Sequence, residues 1–143
     1  MNYPDLPFIH LSHEPLDLAA LEYAVRLRSK GAHVFFSGTP RDKKDLEAVS
    51  ALIFEAYEPM ALAELQKIHA RAIEVFRLEV AYVHHRLGNC GIHEHAVLVG
   101  VGAPHRRHAF EACMWIMDEL KSRVPIWKKE VLANGSFYVT PHP

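Results

Sequence analysis

The chain has 143 residues, 50% hydrophobic and 23% charged, which is ample for a packed core and places it outside the disordered and fibrous classes. At ~100–200 residues per domain, this length predicts one domain over residues 1–143. Lys and Arg total 16 against 17 Asp and Glu, so the formal charge of -1 provides no overall basic field for nucleic acid or an anionic membrane, and any anion site must be local. The longest apolar run, Ala96 to Pro104, is well short of the ~20 residues that span a bilayer, and Met1 to His10 has neither a basic flank nor an apolar signal core. A cytoplasmic protein is expected. Cys90 and Cys113 are the two cysteines and form no CxxC pair, which excludes a disulfide framework and a four-thiolate zinc site.

In chain order, Asp17 to Lys30 carries Leu18, Leu21, Ala24, Val25 and Leu27 at helical spacing, with Gly31 as its stop. Ala32 to Phe36 is a short strand that runs into Ser37-Gly38-Thr39-Pro40 and then the charged stretch Arg41-Asp42-Lys43-Lys44-Asp45. Val49 to Tyr57 alternates as a second strand. Pro59 to Phe76 fits an amphipathic helix, its proline tolerated in the first turn. Leu78 to Leu87 and His95 to Val101 form a predicted strand pair around a turn at Gly88-Asn89-Cys90-Gly91. His105 to Val124 is a long helix with Phe110, Cys113, Met117 and Leu120 on one stripe and Ala109, Ala112 and Ile116 beside it, so it is expected to be buried on two sides. Ile126 to Leu132 and Phe137 to Thr140 flank Asn134-Gly135, a strong hairpin signal. Mixed elements without regular strand–helix alternation predict an α+β fold, with a mixed, largely antiparallel sheet and three main helices.

Four places could carry chemistry. His105-Arg106-Arg107-His108 opens a helix, where unpaired N–H groups already favour an anion; solvated surface cations are the plainer reading, but the helix dipole disfavours four basic residues there. Lys121 and Lys128 flank the break at Pro125, which could bring two ammonium groups together as acid–base or anion-binding groups, or leave them as surface lysines. The Gly38-Thr39-Pro40-Arg41 turn is a basic loop able to cover a ligand, although such loops are commonly just solvated. His84, His85, His93 and His95 near Cys90 allow a zinc site to be considered, without any spacing signature to support it. Cys113, within an apolar stripe, reads as packing.

These pieces resemble the large, catalytic subunit of molybdopterin synthase. The matching stretches are Phe35-Phe36-Ser37-Gly38-Thr39-Pro40-Arg41, Phe54-Glu55-Ala56-Tyr57-Glu58-Pro59-Met60-Ala61, His85-Arg86-Leu87-Gly88, His105-Arg106-Arg107-His108-Ala109-Phe110-Glu111-Ala112, and Met117 through Glu130, in the family's order across residues 32 to 132. The resemblance implies an α/β-hammerhead-like fold and a sulfurtransferase. Such an enzyme moves sulfur from the C-terminal Gly-Gly thiocarboxylate of a small ubiquitin-like subunit to cyclic pyranopterin monophosphate, forming the molybdopterin dithiolene. It further implies Lys121 and Lys128 as catalytic residues. Substrate binding falls to Thr39, Pro40, Arg41, His105, Arg106, Lys129 and Glu130 together with both lysines, with no metal or cofactor. The Arg41 loop is expected to reach into a neighbouring large subunit, within a homodimer that carries one small subunit at each end. The charged run Asp42 to Asp45 is a departure from many members. A noncatalytic relative that only docks a ubiquitin-like tail is the alternative, and retention of both lysines and the His105-Arg106 pair favours the enzyme.

Overall fold

The computed structural model describes residues 5–41, 43–44 and 47–143. Along the chain lie β1 (Ile9–Ser12), α1 (Leu18–Arg28), β2 (Ala32–Gly38), β3 (Lys43–Lys44), β4 (Glu47–Ala56), α2 (Glu58–Phe76), β5 (Val80–Arg86), β6 (Gly88–Cys90), β7 (Val97–Ala103), α3 (Arg106–Arg123), β8 (Ile126–Leu132) and β9 (Phe137–Thr140). Of the charged run after Arg41, Lys43 and Lys44 form β3, and Asp42 and Asp45 lie outside the described residues.

Local chemistry sets the helix ends. The Asp17 carboxylate accepts from the Ala20 amide at 3.0 Å and caps α1. Pro59 occupies the first turn of α2, where its missing N–H costs nothing, and the helix ends on Arg77 in the left-handed conformation at φ 53°. α3 closes with the Val124 amide donating to the Leu120 carbonyl just before Pro125.

The strands are largely antiparallel, as expected of the α+β class, and they divide over two sheets. One has the order β1-β5-β7-β2, with β1 parallel to β5 and the other pairs antiparallel. The second runs β3-β4-β8-β9, all antiparallel, with β6 also on β4. β6 corrects the expected turn: Gly88–Cys90 leaves the β5 edge and pairs with Leu52–Phe54. The Asn134-Gly135 hairpin between β8 and β9 forms as read, with Gly135 at φ +89°.

The first sheet is buried on both faces. Val80, Tyr82 and Leu98 pack with Leu21 and Val25 of α1, while Ala81, Val83, Val99 and Val101 join the larger core with α2 and α3. α3 contributes Ala109, Ala112, Cys113, Ile116 and Leu120 to that core. Phe110, expected on the buried stripe, is instead 62% exposed. It is one residue on from Ala109, roughly 100° around the helix, which turns it away from the sheet.

α1 lies close against β7. A Cβ at Gly100 would fall 2.3 Å from Cδ2 of the fully buried Leu21, and 3.2 Å from Phe35 and Val25. Gly100→Ala is therefore expected to destabilise the fold by about 1–3 kcal/mol, the usual cost of overpacking, as read from urea denaturation. An unchanged midpoint would show that the helix can lift at no cost.

Candidate active site

Between the two sheets, at the C-terminal end of α3, is a hollow of about 420 Å³. Its polar wall is β8. Ile126, Lys128, Glu130 and Leu132 alternate inward, and the two charged residues interrupt what would otherwise be an apolar row. Lys128 Nζ lies 3.7 Å from Glu130 Oε1, with side-chain exposures of 20% and 9%. In a pair so far withdrawn from water, each charge offsets part of the other's desolvation. Lys121 enters from the last turn of α3, where the carbonyl end of the helix favours a cation. Thr39, Pro40 and Arg41 border the hollow from the loop after β2.

Phe36, Leu52, Phe54 and Met117 supply apolar wall, and His85 of β5 lies at the base. His85 Nδ1 is 2.7 Å from the Arg86 carbonyl. A carbonyl only accepts, so Nδ1 carries the proton and Nε2 keeps its lone pair. The ring meets Phe54 edge-on at 4.9 Å, and burial pushes its pKa down to about 4, leaving it neutral.

The hollow thus gathers Thr39, Pro40, Arg41, Lys121, Lys128 and Glu130. Three other sequence candidates lie elsewhere. Lys129 belongs to the opposite face of β8, with its ammonium 4.0 Å from the centre of the Phe137 ring, because adjacent strand residues point oppositely. His105 and Arg106 open α3. Arg106 stands fifteen residues before Lys121, roughly 22 Å away along the helix at ~1.5 Å per residue. Arg41, expected to serve a neighbouring subunit, borders the hollow of its own chain.

The histidines considered for zinc are dispersed. His84 faces the α1 side and its Nε2–H donates to the Pro7 carbonyl at 2.8 Å, while His95 is bonded to the Ser37 hydroxyl at 2.6 Å. Among the described residues, no three His, Cys, Asp or Glu side chains cluster to hold a metal ion. Burial raises the thiol pKa of Cys113 to about 11 and also raises that of Cys90, as suits packing residues.

Residues 11–123 match the model of the family described as MoaE protein. The chain belongs to the MoaE family. The molybdopterin synthase catalytic subunit of Pyrococcus abyssi is 45% identical over 111 residues, which cover 78% of this chain and 75% of that protein. The molybdopterin synthase structure from Staphylococcus aureus superposes with a TM-score of 0.86 at 29% identity, over 96% of this chain and 100% of that one. A chain from the complex of subunits 1 and 2 of molybdopterin-converting factor from Helicobacter pylori gives 0.76 at 25% identity, over 90% and 87%. The MoaE match spans β1 to the end of α3, so β8 with Lys128 and Glu130 lies past its limit and within the reach of the structural superposition. Among similar proteins of known structure, then, the frame around the hollow recurs. No helix of the described residues is long and apolar enough to cross a membrane.

In the sequence His85 stands among the four histidines considered for zinc and in the His85-Arg86-Leu87-Gly88 stretch of the resemblance, with no substrate role attached to it. The signal that finds it is the Ala81, Val83, His85 alternation, which carries an apolar face of β5 onto an imidazole. Its depressed pKa has a consequence for stability. Between pH 6.5 and about 4 the unfolded chain binds a proton that the folded chain refuses, so stability falls as pH drops through that window. Urea midpoints measured from pH 7 to pH 4 are expected to decline, and His85→Gln, which does not titrate, to decline less steeply. Parallel profiles would show that the histidine does not govern the loss.

Proposed function

We propose that this chain is the catalytic subunit of a cytoplasmic molybdopterin synthase. It transfers sulfur from the C-terminal thiocarboxylate of a small ubiquitin-like subunit to cyclic pyranopterin monophosphate. The convergence of Lys121 and Lys128 on one hollow carries the assignment, since they come from different elements and meet beside Arg41. Thiocarboxylate and phosphate are both anionic, and sulfur transfer generates oxyanions and exchanges protons. Two ammonium groups gather the reactants, stabilise the developing charge and relay protons. A Gly-Gly tail has no side chains, which suits entry between the apolar walls. The two-subunit complex of the Helicobacter pylori relative supports a small-subunit partner.

Lys121→Ala and Lys128→Ala are each expected to lower dithiolene formation by ~10²–10⁴, assayed with thiocarboxylated small subunit, while circular dichroism stays unchanged. Lys121→Arg restores activity only in part, because a guanidinium keeps its charge and does not release its proton. Near-normal turnover in either alanine variant overturns that lysine's role.

The second partner is another copy of this chain, within a heterotetramer. Phe110 and Met114 are 62% and 66% exposed on the outer face of α3, beside Met117 and the 39% exposed Phe36. Positions 106 and 121 are equidistant from a point between Cys113 and Met114, the middle of this apolar strip. Two α3 helices packed antiparallel about a two-fold axis at that point set His105 and Arg106 of one copy against Lys121 of the other. Lys129 keeps its expected part in substrate binding only if the second copy or the small subunit approaches its face of β8. Mixing Arg106→Ala with Lys128→Ala chains is expected to recover about a quarter of wild-type activity, since half the dimers are hybrids with one intact site of two. An Arg41→Ala and Lys128→Ala mixture recovers none, because both residues serve the same chain's hollow. The opposite pattern overturns this arrangement.

A further inference from the structure

The cations account for the anionic reactants and leave the base of the hollow unused. Ala81 and Val83 lead along one face of β5 into the large core, and the next residue on that face is a histidine 1% exposed, where an aliphatic side chain would complete the packing. Its orientation is fixed twice, by the 2.7 Å hydrogen bond from Nδ1 to the Arg86 carbonyl and by the edge-on Phe54 ring at 4.9 Å. Among the described residues Nε2 has no hydrogen-bond partner, and the residue lines the hollow. The result is a single, oriented acceptor with an aromatic wall beside it.

We propose that His85 is a substrate-binding residue whose Nε2 accepts a hydrogen bond from a ring N–H of the pterin, an assignment that rests on the hollow being the sulfur-transfer site. The reactive groups are excluded as its partner, because a thiocarboxylate and a phosphate offer acceptors alone and are drawn to Lys121, Lys128 and Arg41. The pterin carries N–H donors on its rim and a flat face that packs on Phe54. A neutral imidazole suits this position better than a carboxylate, which would pair with the adjacent ammonium groups. Burial holds the ring neutral far below physiological pH, so the acceptor persists under working conditions.

The test uses the full chain in complex with thiocarboxylated small subunit. His85→Gln places an amide oxygen near the position of Nε2, whereas His85→Phe and His85→Met fill the volume without an acceptor. The apolar variants are expected to raise KM for the pterin substrate by about tenfold, with small-subunit affinity unchanged, and His85→Gln to stay within about threefold of wild type. In the unmodified chain with its imidazole nitrogens isotopically labelled, adding the pterin phosphate shifts the Nε2 resonance towards that of a hydrogen-bonded nitrogen, a reading that needs no variant to fold. Wild-type KM in both apolar variants overturns the proposal. So does a loss confined to small-subunit affinity, which would make a peptide N–H of the tail the donor. A wild-type complex that forms no dithiolene overturns the sulfur-transfer reading instead, and the Nε2 response to pterin phosphate then still decides whether His85 binds it.

Discussion

β5 is buried along its whole length on both faces, so each of its residues must satisfy one of two environments. Val80 and Tyr82 close the core beneath α1; Ala81 and Val83 close the core beneath α2 and α3. That division fixes the register of the first sheet, because a slip by one residue would exchange every side chain between the two cores. It also delivers His85 to the hollow and His84 to the far side. The same period of two acts on β8, where Lys128 and Glu130 turn inward and Lys129 outward. The chemistry of the hollow is thus selected by strand geometry before any substrate enters.

Charge in the hollow is handled by pairing. Lys128 and Glu130 share one face of β8 at 3.7 Å, a spacing that offsets part of the desolvation of each and limits where the ammonium points. Lys121 gains its place differently, from the negative end of the α3 dipole. Two cations held by different means on different elements tolerate an incoming anion without first collapsing onto one acid. Apolar walls from Phe36, Leu52, Phe54 and Met117 lower the local dielectric and lengthen the reach of both charges.

The helices were legible in the sequence because their apolar spacing, caps and breakers agree: Asp17 begins α1, Pro59 opens α2, and Pro125 follows α3. β1 was not, since four residues give too little alternation to register and its pairing with β5 is non-local. Gly88 and Gly91 signal a turn where β6 forms, because its pairing with β4 depends on a strand thirty-odd residues away. Helical spacing puts Phe110 on a stripe with Cys113, Met117 and Leu120, but the helix is rotated so that Ala109, Ala112, Cys113, Ile116 and Leu120 are buried and Phe110 faces outward. Of the site, the break at Pro125 marks Lys121 and Lys128 and the basic turn marks Arg41 in the sequence itself, while their roles in the reaction come from the family resemblance. Spacing could not bring Arg41 to Lys128, and nothing local distinguishes Lys129 from its inward neighbours except strand phase.

Between the last residue of β5 and the first of β6 stands only Leu87, whose amide donates to the Ser12 carbonyl at 2.7 Å. One residue therefore carries the backbone from one sheet to the other, and Phe54, on the strand that β6 pairs with, leans on His85 at the point of departure. A hinge between the sheets would have to break both ladders at this step. The spacing of the two strand walls is consequently restrained by the covalent chain, and a flat guest that enters between them requires less ordering of those walls on arrival.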